Sequence, residues 1–107
     1  MQGDRRIIRD PDETTLSSGP VFLDLVNQTV WWKGKPIDLT SAEFGIVETL
    51  LRKPGRAFSR RELISDDSET MERTVDVQIA SIRNKFGKWG DHFETVREIG
   101  YRFRQGR

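Results

Sequence analysis

Apolar residues recur at helical spacing along positions 73–88. They are Val75, Ile79, Ile82 and Phe86, separated by four, three and four residues. This spacing places all of them on one face of a helix, and Gly87 indicates where that helix ends. The pattern therefore predicts a helix that buries one narrow stripe.

The other faces of this predicted helix carry small, hydrogen-bonding and basic side chains. They are Arg73, Thr74, Val77, Gln78, Ala80, Ser81, Asn84, Lys85 and Lys88. Such groups suit the major groove of DNA, because amides and hydroxyls pair with base edges, cations with phosphates, and an exposed valine with a thymine methyl group. An ordinary amphipathic surface helix is the alternative that this stretch leaves open.

Short apolar and β-branched segments precede the helix at residues 21–25, 29–32 and 37–39. Tight turns between them predict an antiparallel meander. Trp31 and Trp32 point to opposite faces of a regular strand, so one is expected in the core and the other at least partly exposed.

Two capping boxes begin helices between this meander and the long helix. Thr40 and Glu43 form the first box, and Ser59 and Glu62 form the second, which opens a short helix. A helix, a short helix and a long helix in this order predict a helix-turn-helix module.

A hairpin of two strands, at 93–97 and 101–104, is predicted after a loop at 88–91. Its second strand alternates between residues expected inside, Tyr101 and Phe103, and residues expected outside, Arg102 and Arg104. A hairpin that follows a helix-turn-helix is a wing, whose arginines can contact phosphates or the minor groove.

Composition excludes several classes of function. The chain has 107 residues, one histidine and no cysteine, so we expect one folded domain with no metal, no cofactor and no catalytic site. No apolar run has transmembrane length and no signal-peptide core is present, so we expect a soluble cytoplasmic protein without a membrane partner. Residues 71–107 carry eight basic and five acidic side chains, which biases positive charge toward the long helix and the wing.

Two polar segments lie outside this pattern. Residues 1–19 are predicted to be a flexible tail or interdomain linker, and residues 20–107 the folded domain. An acidic loop before the long helix holds Asp66, Asp67, Glu69 and Glu72. This loop could face a basic partner, or it could be a solvated loop.

Four segments carry a family resemblance, at residues 39–44, 54–63, 73–79 with 82–87, and 95–103. Over about residues 20–104 the chain resembles the winged-helix DNA-binding domain of OmpR/PhoB-type bacterial response regulators. The resemblance implies an α+β fold with an N-terminal four-stranded antiparallel sheet, three helices and a C-terminal hairpin wing. It also implies sequence-specific binding to double-stranded DNA, as the effector domain of a two-component response regulator or as a stand-alone relative.

The resemblance implies further partners and contacts. Two copies would bind direct-repeat DNA head to tail, and the loop before the third helix could contact RNA polymerase. From the pattern and the resemblance together, the candidate DNA contacts are Arg73, Thr74, Val77, Gln78, Ser81, Arg83, Asn84, Lys85 and Lys88 on the helix, and Thr95, Arg97, Arg102 and Arg104 on the wing. For Arg83, a structural salt bridge with Asp76 is the alternative.

The chain also departs from the family pattern. Ala80 and Ser81 stand where relatives often carry Arg or Lys, and the acidic loop is shorter than usual and lacks the common tryptophan. Glu98 stands at the wing turn where glycine is usual, and its carboxylate would weaken DNA binding if it faces the phosphates. No receiver domain fits within the chain. The absence of long cations at positions 80 and 81, the acidic loop and the net charge of +1 leave a winged-helix protein-interaction module with weak or lost DNA binding as the alternative function.

Overall fold

The computed structural model describes residues 13–64 and 72–104. In these residues the strands are β1 Thr15–Ser18, β2 Val21–Asp24, β3 Thr29–Trp32, β4 Lys35–Ile37, β5 Phe58–Ser59, β6 Phe93–Val96 and β7 Gly100–Phe103. The helices are α1 Ser41–Arg52 and α2 Glu72–Phe86, with 3-10 helices at Arg61–Leu63 and Gly87–His92. The predicted α+β class is confirmed.

The N-terminal sheet has the order β1-β2-β3-β4, and each pair of neighbouring strands is antiparallel. The expectation of little fixed structure over residues 1–19 is wrong for β1. This strand pairs with β2 through a two-residue connection in which Gly19 has a φ of +58°. Leu16 packs against the core, so tertiary contacts order a polar segment that has no hydrophobic period of its own. Residues 1–12 lie outside the described part of the chain.

The two tryptophans of β3 lie on opposite faces of the sheet, as predicted. Trp31 is 38% exposed, whereas Trp32 packs against the core. On the core side, Trp32 lies near Trp89, with ring centroids 6.5 Å apart. The sheet therefore buries one face against the helices and leaves the other face open.

The predicted capping box at the start of α1 is formed. The Thr40 hydroxyl accepts a hydrogen bond from the Glu43 amide at 3.1 Å, and the Thr40 amide donates to Glu43 Oε1 at 3.0 Å. The box gives the backbone amides of Thr40 and Glu43 a hydrogen-bond acceptor each, and it defines the first turn of the helix. From there α1 buries an apolar face that includes Phe44, Val47 and Leu50.

The second capping box is also formed. The Ser59 amide donates to Glu62 Oε1 at 2.8 Å, and the Glu62 amide donates to Ser59 Oγ at 3.1 Å. In the described residues it opens a single 3-10 turn, Arg61–Leu63, where a short helix was predicted. Leu63 is buried in the core, so this turn is anchored by one apolar side chain.

The core side of α2 is the predicted stripe. Val75, Ile79, Ile82 and Phe86 are each 0% exposed. The α-helix ends at Phe86, and Gly87 follows with a φ of +62°. The helical spacing and the glycine stop are therefore both confirmed.

The predicted loop at 88–91 is wrong, because Gly87–His92 is a 3-10 helix. Trp89 stacks on His92 with ring centroids 4.3 Å apart and lies 5.2 Å from Phe103. Gly90 approaches α2 so closely that an added Cβ would lie 2.3 Å from the Arg83 carbonyl oxygen. Aromatic packing thus stabilises a 3-10 helix in a segment whose polar sequence predicts a loop.

A second sheet follows, with strand order β5-β7-β6 and antiparallel pairing. β6 and β7 form the predicted wing, whereas β5 was not predicted. Tyr101 and Phe103 are buried, as expected. Gly100 lies against β5, where an added Cβ would be 2.1 Å from the Phe58 carbonyl oxygen. The wing is therefore paired with β5, which precedes the 3-10 turn.

Candidate nucleic-acid interface

The side of α2 that faces away from the core forms an open surface. Arg73, Val77, Ala80 and Asn84 are exposed along it, and the bare side chain of Val77 is 68% exposed. Thr74 and Gln78 are half-buried beside this row, as their flanking positions predict. Helical spacing alone places the exposed row, because its four residues lie opposite the buried stripe.

Ser81 and Lys85, two candidate DNA contacts, face α1. Lys85 Nζ lies 2.7 Å from Glu43 Oε1, and Ser81 is the second side chain of α2 that lowers the pKa of this carboxyl group. Burial opposes ionisation of Glu43, but the hydrogen bonds from Lys85, Ser81 and the Thr40 amide outweigh it and lower the pKa of Glu43. Lys85 thus has an internal partner at the start of α1.

Arg83 connects α2 to the wing. Its Nε donates to the Phe93 carbonyl oxygen at 2.8 Å, and a terminal nitrogen donates to Thr95 Oγ1 at 2.9 Å. The alternative salt bridge between Arg83 and Asp76 is wrong. Asp76 lies two turns earlier on α2 and has other partners.

Those partners define what we call the Asp76 cluster: Arg60, Asp76 and Tyr101. Arg60 Nε lies 2.7 Å from Asp76 Oδ1, and the Tyr101 hydroxyl donates to the same oxygen. The guanidinium carbons of Arg60 and Arg83 lie 5.4 and 5.7 Å from the centroid of the Tyr101 ring. The cluster joins the residue before the 3-10 turn, α2 and β7.

The pKa values of the Asp76 cluster follow from these contacts. The hydrogen bonds from Tyr101 and then from Arg60 lower the pKa of Asp76, because they stabilise its charged form. Burial, together with the bond to Asp76, raises the pKa of Tyr101. Sequence reasoning missed this cluster, since its three residues lie far apart along the chain.

Arg102 of β7 and Arg104, the residue after its end, share one carboxylate. Arg102 Nε and Arg104 Nε lie 2.9 and 2.6 Å from the two oxygens of Glu94. Glu94 faces Arg102 directly across the hairpin, and the hydrogen bond from Arg102 is the largest contribution that lowers its pKa. Glu94 was not anticipated, although alternation along β6 places it on the outer face.

Other basic side chains of the candidate set remain open to solvent. Arg73, Lys88 and Arg97 are exposed, and within residues 13–64 and 72–104 none of them has an ion-pair or hydrogen-bond partner. Arg97 lies at the tip of the wing, next to exposed Glu98 and Ile99. The structure therefore separates the predicted cations into an internally paired group and an open group.

The contacts of Arg83 with β6 and of Asp76 with Tyr101 hold the wing against α2. An exposed helix face and an exposed hairpin tip thus have a defined relative placement. The acidic-loop residues Asp66, Asp67 and Glu69, and the side chain of Glu72, lie outside the described residues. Where the structure describes the chain, no helix is long and apolar enough to cross a membrane, and no group of three His, Cys, Asp or Glu side chains could hold a metal ion.

This arrangement of helices and wing defines a winged helix-turn-helix domain. Residues 34–103 match the model of the family described as transcriptional regulatory protein, C terminal, and the chain belongs to that family. The resemblance to OmpR/PhoB-type response regulators is thereby confirmed.

Individual relatives agree with this assignment. The transcriptional regulatory protein BaeR of Escherichia coli O6:H1 is 33% identical over 94 residues, which cover 81% of this chain and 39% of that protein. The response regulator DrrB, a Thermotoga maritima OmpR/PhoB homologue, has a TM-score of 0.74 and 27% identity, covering 86% of this chain and 45% of that one. The Klebsiella pneumoniae RstA DNA-binding domain, in complex with the RstA box, has a TM-score of 0.70 and 29% identity, covering 86% and 98%.

The chain spans 39–47% of the length of four curated relatives that it matches. The similarity therefore concerns the C-terminal regulatory domain of this family.

Proposed function

We propose that this domain binds double-stranded DNA in a sequence-specific manner and regulates transcription. The main support is the exposed face of α2 together with the exposed tip of the wing. The Asp76 cluster and Arg83 hold these two surfaces in a fixed relative position. An α-helix fits the major groove, and a hairpin beside it reaches the adjacent minor groove or phosphates. The RstA DNA-binding domain, which has the same fold, was solved in complex with the RstA box.

Different residues serve different parts of this binding. Arg73 and Arg97 are exposed and unpaired within the described residues, so their charges are available for phosphates. Val77 and Gln78 lie between the two ends of the helix face and carry the groups suited to base edges. Lys85, Arg102 and Arg104 contribute less, because each already pairs with a carboxylate of the domain, Lys85 with Glu43 and the two arginines with Glu94.

We also propose that two copies bind repeated half-sites head to tail, as the family resemblance implies. The chain would then be the effector half of a two-component response regulator or a stand-alone relative, with residues preceding β1 as the linker. Any contact with RNA polymerase would use the acidic loop before α2, and it rests on the resemblance alone.

The internal pairing of three candidate cations favours one competing function, a protein-interaction module with little DNA affinity. Salt dependence separates the two functions. Each phosphate contact releases counterions, so DNA binding weakens steeply as salt rises, whereas an apolar protein contact does not. The first experiment is selection of bound sequences from a random DNA pool, followed by titration of the best site at two salt concentrations.

A pair of arginine variants tests the assignment with the charge change held constant. Arg73→Ala should weaken binding to every DNA sequence and reduce the slope of log affinity against log salt by about one. Arg102→Ala removes the same charge from a side chain that already pairs with Glu94, so its effect should be clearly smaller. Equal losses in both variants would show that overall charge, rather than the open surface, controls binding.

A further inference from the structure

The tip of the wing is a tight turn with an unexpected residue in it. The Ile99 amide donates to the Val96 carbonyl oxygen at 3.0 Å, and Glu98, the third residue of the turn, has a φ of +67°. These are features of a type II turn, whose third position favours glycine or asparagine because a Cβ crowds the backbone there. The conformation of the turn therefore does not account for a glutamate.

The surroundings of Glu98 do not account for it either. Glu43 and Glu94 both accept hydrogen bonds from cations. Glu98, in contrast, is exposed and has no partner among the residues that the structure describes. Its neighbour Arg97 is also exposed and unpaired there. A free carboxylate and a free guanidinium thus occupy the same hairpin tip.

We propose that Glu98 sets the affinity of the wing for DNA by opposing the phosphates that Arg97 attracts. This inference rests on the proposed DNA binding. The carboxylate offsets one positive charge at the tip, and phosphates carry no sequence information, so it weakens binding to all sequences by the same factor. Stable binding then depends on base contacts from α2 and on a second bound copy.

Glu98→Gln tests this directly, because it removes the charge and keeps the size of the side chain. We expect target and scrambled duplexes to bind roughly three- to tenfold more tightly at low salt. The slope of log affinity against log salt should steepen by about 0.9, and the gain should fade at high salt. Asp38→Asn is the matched control, since Asp38 is an exposed carboxylate between β4 and α1 without a partner in the described residues; it should leave affinity nearly unchanged.

Glu98→Gly supplies an independent measurement. It should match the Glu98→Gln gain in affinity and also raise the melting temperature, because glycine adopts a positive φ without crowding. An affinity of Glu98→Gln equal to the parent, with steep salt dependence in both, would overturn this inference and leave DNA binding intact. A gain confined to the target duplex would also overturn it, since it would indicate a base contact. No salt-dependent binding by the parent or by any variant would overturn both proposals.

Discussion

Removal of one hydroxyl from the Asp76 cluster should measure how firmly the wing is held against α2. In Tyr101→Phe the buried ring keeps its packing, but the bond to Asp76 is lost. A hydrogen bond to a charged acceptor contributes about 1.5–3 kcal/mol. The Asp76 side chain is 44% exposed, so water replaces the hydroxyl and the expected loss falls to about 1–1.5 kcal/mol. For a domain of this size that lowers Tm by roughly 4–12 °C.

The pH dependence of this loss follows from the two pKa shifts. The folded-state pKa of Asp76 is lowered from 3.8, so its contribution is present above that value and disappears as pH falls through the folded pKa. The folded-state pKa of Tyr101 is raised from 10.0, so its contribution is present below that value and disappears as pH rises above it. The difference in stability between parent and variant should therefore be largest between these limits and shrink at both ends.

Urea unfolding followed by tryptophan fluorescence measures this difference across the pH range. The chain has one tyrosine, so tyrosinate absorbance reports the ionisation of Tyr101 alone in the folded protein. A double-mutant cycle with Arg97→Ala adds a functional measurement, because a loosened wing should reduce the DNA affinity that Arg97 contributes. A difference in stability that stays constant from about pH 3 to pH 11 would refute the reasoning, since the hydroxyl and the carboxylate would then not be coupled.

The remaining predictions concern packing and sequence preference. Gly45→Ala should raise stability by about 0.5–1 kcal/mol, because nothing lies within 4 Å of the added Cβ and alanine favours the interior of α1. Gly100→Ala should lower stability by more than about 2 kcal/mol or prevent folding, because its Cβ would meet the Phe58 carbonyl oxygen; urea midpoints compare the two. Gln78→Ala should reduce the preference for the selected site by about 1–3 kcal/mol. Competition binding with scrambled DNA checks this, and an unchanged preference would exclude Gln78 from base recognition.

The local elements of this domain are largely determined by nearby residues. The stripe on α2 is set by four apolar side chains at helical spacing, and both capping boxes depend on residues three positions apart. Alternation along β7 correctly places Tyr101 and Phe103 inside. Such patterns are visible in sequence because the interacting groups are separated by one helical turn or by one strand pleat.

Elements held by distant contacts were not predictable in this way. β1 is ordered by pairing with β2, and the 3-10 helix Gly87–His92 is stabilised by packing of Trp89 on His92 and Phe103. Neither segment has a hydrophobic period of its own. Tertiary contacts supply the energy that local preference lacks.

The same division applies to the candidate site. The sequence by itself determined which face of α2 is open, because burial of Val75, Ile79, Ile82 and Phe86 leaves the opposite row exposed. Only the tertiary structure decided which cations on that side are free. Lys85 pairs with Glu43 and Arg102 with Glu94, whereas Arg73 and Arg97 have no partner within the described residues. The distance between two charged side chains on separate elements depends on how those elements pack. Periodicity within one element carries no information about that packing.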